Sequence, residues 1–161
     1  MMVSTTVGMM VLQFAIGMAH YELAEVHRLR GDFDEAEDGY RQANQWGHTP
    51  QPGVARLRLA QGQIAAAAAT TRRVLDEAMD VVTRSKVLPA HVEIMLASGD
   101  VPAARIATDE LSEIASKFDT PLLHAIAGRA RGAVSLAEGD ARADALLHQL
   151  ERALGNADLP H

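Results

Sequence analysis

Four glycine-centred corners constrain this chain more than any other feature of its sequence. In the runs LRGDFDEAEDGYRQA, AQGQIAAAAATTRRV, ASGDVPAARIATDEL and AEGDARADALLHQL, a glycine, a polar residue and an alanine-rich segment recur. Gly31, Gly62, Gly99 and Gly139 follow one another at intervals of 31, 37 and 40 residues. Glycine closes a helix in the left-handed conformation without a Cβ clash, and the polar residue after it is placed to cap the next helix. Ala36, Ala67 and Ala104 each stand five residues after their glycine, where a small side chain lets antiparallel helices approach; the fourth unit has Asp144 there. This spacing marks two-helix units that are too small to bury their own apolar faces and must stack on their neighbours.

The segments between the corners read as helix. Sustained period-2 alternation is missing, and the β-branched residues are scattered among Ala, Leu, Arg and Glu. Further punctuation falls between Gly47 and Gly53, around Pro50 and Pro52. Eight helices are predicted, over 5–30, 33–47, 53–61, 64–80, 83–98, 101–117, 121–138 and 142–154. Asp32 followed by Glu35 predicts a capping box at the start of the second. The expected fold is all-α, a right-handed superhelical solenoid of one domain, with about four hairpins over 5–47, 53–80, 83–117 and 121–154. With 48% apolar residues but six aromatics among 161, its core must be built from Ala, Leu, Val, Ile and Met.

Several function classes lack their signatures. The chain has no cysteine, which removes disulfides, thiolate zinc sites and cysteine catalysis and fits a reducing cytoplasm. His20 and His27 lie seven residues apart, about 10.5 Å along a helix, too far to share an ion. The acidic run from Asp32 to Asp38 puts Ala36 where a calcium loop needs an oxygen ligand and Glu37 where it needs glycine. Its carboxylates suit the positive end of a helix dipole. Neither a nucleophile elbow nor a phosphate loop is present. No cofactor, no metal and no catalysis are expected. A formal charge of -6 argues against direct DNA binding by this segment. The apolar stretch from Val7 to Ala19 is interrupted by Gln13 and followed by His20, Glu22 and Glu25; it has no positive residue ahead of it, so neither a membrane span nor a signal peptide is expected.

Charge is unevenly spread. Residues 22–38 hold seven acids and two arginines, whereas 39–75 hold five arginines (Arg41, Arg56, Arg58, Arg72, Arg73) and no acid. An arginine-rich unit of this kind could receive an acidic peptide, an anionic ligand or a neighbouring protomer, or simply cover apolar surface with its stems. At the N-terminus, Met2, Met9, Met10, Val11, Leu12, Phe14, Ile16 and Met18 are more apolar than one helix face needs. They either pack on the next hairpin or form a self-association surface giving a homodimer, with Met9, Met10, Phe14 and Met18 at its centre.

The first unit resembles the tetratricopeptide repeat at Ala24, Gly31-Asp32, Ala36, Tyr40 and Ala43; later units have Thr71 and Thr108 in place of the aromatic and depart from the 34-residue period. Over about residues 19–143, the runs LAEVHRLRGDFDEAEDGYRQANQWGHTPQPGVARLRLAQG, RSKVLPAHVEIMLASGDVPAAR and GRARGAVSLAEGDARA resemble the tetratricopeptide-like region of large actinobacterial LuxR-family transcriptional regulators. The resemblance implies a non-enzymatic cytoplasmic region that binds a protein partner or small effector. It also implies a helix-turn-helix domain downstream of His161, hence not in this chain. In such repeats the first helix of each hairpin lines the concave face, which singles out Tyr21, His27, Arg56, Arg58, His91 and Met95 as ligand or partner contacts. The alternative is a free-standing scaffold assembling through its N-terminal helix.

Overall fold

Left-handed backbone at Gly31, Gly62 and Gly99, with φ of 88°, 76° and 77°, turns the chain back three times in the computed structural model, which describes residues 2–157. All three corners close in the same way. The glycine N–H donates to the carbonyl three residues back (Arg28, Leu59, Leu96), and the next N–H donates to the carbonyl five back (His27, Arg58, Met95). These bonds satisfy carbonyls that the helix end would leave bare. They join α1 (Met2–Arg30) to α2 (Phe33–Gln45), α3 (Gly53–Ala60) to α4 (Ile64–Glu77), and α5 (Val81–Ala97) to α6 (Val101–Phe118). A final helix, α7 (Pro121–Ala157), follows a left-handed Asp119 whose N–H is bonded to the Ala115 carbonyl. Among the described residues the chain is all-helical, with no strand.

The alanine positions do what their size requires. Ala36, Ala67 and Ala104 are fully buried where each second helix crosses its partner. Each hairpin also touches the next, with α1 and α3, α3 and α5, and α5 and α7 in mutual contact. The main core joins α3 to α7 through residues such as Leu88, Ile94, Met95, Leu111 and Val134. A smaller cluster of Ala24, Ala36, Tyr40 and Leu57 ties α1 and α2 to α3. Tyr40 is the aromatic that is fully buried, so the core is aliphatic as its composition requires. Ion pairs brace neighbouring helices: Arg58 to Glu37 at 2.9 Å, Arg84 to Glu110, and Arg105 to Glu138. Arg84 also donates to the carbonyls of Leu75 and Ala78, closing the end of α4.

Two sequence expectations are corrected. The fourth corner is absent: α7 runs as one helix of 37 residues straight through Gly139-Asp140, so the helices expected over 121–138 and 142–154 are continuous and the fourth hairpin does not form. A glycine inside a helix costs only about 1 kcal/mol against alanine. Reversing the chain is favoured only if the second arm docks, and Asp144, exposed where the other units bury alanine, supplies no docking surface. The capping box at Asp32 is also absent. Its carboxylate makes no bond to the helix start and faces the His27 ring at 3.4 Å instead, whereas Asp80 and Asp100 cap α5 and α6 by accepting from Thr83 N–H and Ala103 N–H. The side chains of Met2 and of residues 150–154 lie outside the described residues.

Continuity at Gly139 has a measurable consequence. Gly139→Ala is expected to slow amide exchange around it by about threefold, since alanine is the better helix former. In a left-handed corner the same change would speed exchange.

Candidate ligand groove

The first helices of successive hairpins, α7 and the segment 47–52 between α2 and α3 line an open groove of about 730 Å³. One wall is aromatic. Phe14, His48, Tyr21 and Tyr40 form a chain of tilted rings with centroids 5.8, 5.0 and 5.6 Å apart, and Met18 lies beside them in the lining. Tyr40 is anchored beneath this wall: its hydroxyl donates to Glu25, which also accepts from Arg28 at 2.7 Å. Burial would raise the Glu25 carboxyl, but these two hydrogen bonds outweigh it and hold the group below its ordinary value. Burial, reinforced by the Glu25 charge, pushes the Tyr21 phenol up to about 12, so it stays a neutral hydroxyl at any physiological pH. Opposite stand Leu122, Leu123 and Ile126 from the first turns of α7.

The floor is α5. Lys86 and Pro89 line the groove, and Glu93 follows at the next turn on the same helix face, since residues i, i+3 and i+7 share one side. Glu93 holds two arginines that also line the groove: Arg56 of α3 at 3.3 Å and Arg129 of α7 at 2.5 Å. Three helices are thereby pinned to one carboxylate. Lys86 has no hydrogen-bond or ion-pair partner among the described residues. Pro89 lacks the N–H that would bond the Ser85 carbonyl, and Ser85 also lines the groove.

Of the six contacts expected from the sequence, the structure brings Tyr21 and Arg56 into this groove and not the other four. His27 is drawn to Asp32 at the first corner. Arg58 points away, held by Glu37 and by Gln61 at 3.1 Å. Met95 is wholly buried in the main core, with no surface to offer a ligand. His91 is buried too, its Nδ1 at 2.8 Å from the Thr71 hydroxyl, which also lies 3.3 Å from the Ala67 and Ala68 carbonyls. Phe14 and Met18, expected at an assembly surface, line the groove, whereas Met9 and Met10 are 60% and 65% exposed on the part of α1 that extends past α2. Lys86, Leu122, Ile126 and Arg129 were not anticipated. The spacing of Leu122, Ile126 and Arg129, at i, i+4 and i+7 on a first helix, was the available signal.

His91 sets a pH dependence. Burial, aided by the Arg72 charge, lowers its pKa below the ordinary 6.5. The folded state therefore prefers the neutral ring, and its contribution is complete above about pH 7.5 and falls as pH drops below 6.5 through the lowered value. Urea midpoints measured from about pH 8 to 5 are expected to decline in that window, and His91→Gln to flatten the decline. An unchanged slope in the variant would assign the acid sensitivity elsewhere.

Among the described residues no three His, Asp or Glu side chains are grouped to hold a metal, and no helix is long and apolar enough to cross a membrane. Comparison with protein-family models, curated proteins and solved structures gives no match.

Proposed function

We propose that this chain is a non-enzymatic binding module: a right-handed solenoid of tetratricopeptide-like hairpins whose inner groove receives a small effector or a protein partner. The observation that carries the reading is the groove itself, built from α1, α3, α5 and α7, with apolar walls and a few convergent polar groups. Its volume lies within the range of about 300–1,000 Å³ usual for small-molecule sites. The resemblance to the repeat region of LuxR-family regulators supports a cytoplasmic regulatory role, in which occupancy biases hairpin stacking and thereby the presentation of a DNA-binding domain.

A second reading, assembly through the N-terminal helix, is favoured by one observation. Met9, Met10, Val11, Leu12 and Phe14 are each more than half exposed on consecutive turns of α1. Native mass spectrometry of the purified chain separates the two. The groove reading expects a monomer carrying a small adduct that Ile126→Glu removes. A bare dimer that Met10→Glu dissociates would overturn it in favour of assembly.

A further inference from the structure

We propose that the groove takes a small amphipathic carboxylate, with its anionic head at Lys86 and its apolar body between the Phe14–Met18–Tyr21 wall and the Leu122–Leu123–Ile126 wall. This rests on the binding-module reading above and names the class of ligand. Charge decides the head. The groove presents Arg56, Lys86 and Arg129 against Glu22, and the carboxylate ion-paired with these cations is Glu93; Glu25, which also feels the Arg56 charge, is balanced by its own pair with Arg28. Three cations against two carboxylates leave one positive charge, in a chain whose formal charge is -6. The Arg56–Glu93–Arg129 cluster carries that surplus, but both guanidiniums are held by Glu93, which leaves Lys86, without an ion-pair partner among the described residues, as the cation able to turn to a ligand. A monoanion would gain a charge-assisted contact with the Lys86 ammonium, whereas a cationic ligand would be repelled and a neutral one would gain nothing from the charge.

The walls decide the body. Three large side chains from α1 and three apolar ones from α7 line the same groove, and the one acid lining it with them is Glu22. An unbranched or ring-bearing apolar body therefore suits the space between them, at the volume of a small molecule rather than an extended chain. Lys86 is exposed and makes no contact that the fold needs, so it can be replaced without touching the core.

The test uses octanoate, octan-1-ol and octylammonium as probes on the full chain, with dissociation constants from ligand-observed NMR. Octanoate is expected to bind at least about tenfold more tightly than octan-1-ol, and octylammonium more weakly than either. Lys86→Met should weaken octanoate by about tenfold while leaving octan-1-ol within about twofold, and added salt should weaken octanoate alone. Equal affinity for the acid and the alcohol, or an acid affinity untouched by Lys86→Met, would overturn the inference. Ile126→Glu distinguishes this failure from that of the parent reading. Alkyl probes that bind indifferently to Lys86→Met but are lost in Ile126→Glu leave the groove standing and remove the carboxylate. Absence of octanoate binding removes the carboxylate as well; it removes the groove too if the native spectrum shows no adduct sensitive to Ile126→Glu.

Discussion

Leucine at position 104 is expected to lower the unfolding free energy by about 3 kcal/mol, the upper part of the usual overpacking range, whereas leucine at the corresponding position 144 should change it by less than about 0.5 kcal/mol. Both positions follow a corner-type glycine by five residues, so a purely local account would give them the same response. The structure separates them. Ala104 is fully buried in the main core where α6 crosses α5, a core whose larger members Ile94, Leu88 and Leu111 are themselves buried. Three extra heavy atoms have no void to enter, and the helices can part only by losing contacts along the whole hairpin. Asp144 is exposed on the part of α7 that runs on past Gly139. Urea unfolding of the two variants beside the parent chain measures both effects. A large loss for Asp144→Leu would mean that a fourth hairpin forms in solution and that α7 bends at Gly139 after all.

The contrast shows which features a sequence can carry. The corners at Gly31, Gly62 and Gly99 were legible because each combines a local requirement, positive φ, with a nearby alanine that makes docking possible. At Gly139 the local signal was present and the tertiary one was not, and the helix continued. The groove was legible only in part, and α5 shows why. From Val87 onward its residues are apolar nearly all the way round because it packs on α3, α4, α6 and α7. On the side that faces the groove, Thr83, Ser85 and Lys86 are separated by Pro89 from Glu93 two turns on, so no continuous polar stripe marks it. His91 and Met95 share one face four residues apart, but that face is turned into the core, roughly opposite to the one carrying Lys86, Pro89 and Glu93. Glu93 gains its importance from arginines 37 residues before it and 36 after it, a juxtaposition that no short motif encodes.

Valine at Gly53 is the other change expected to cost about 3 kcal/mol, and here the cause is a side chain that cannot move aside. A Cβ at this position, the first residue of α3, would overlap Cε1 of Tyr40 and stand 2.7 Å from its Cζ and 2.8 Å from Oε1 of Glu25. Flexible neighbours can give way to such an atom, but Tyr40 is 1% exposed and its hydroxyl is bonded to Glu25, which is in turn held by Arg28. Displacing the ring would therefore break a partly buried hydrogen bond as well as the packing of Ala24, Ala36 and Leu57 around it. A double-mutant cycle isolates this cause. Tyr40→Leu should be destabilising alone, by about 2 kcal/mol, yet Gly53→Val placed on that background should cost at least 1.5 kcal/mol less than on the parent chain, because the shorter side chain opens the space the valine needs. Strict additivity of the two changes would show that the penalty at Gly53 comes from the backbone at the start of α3. The same cycle bears on the groove, since Tyr40 supports Tyr21 and the start of α3 positions Arg56. Ligand affinity is then expected to fall with Gly53→Val and to recover in the double variant along with stability.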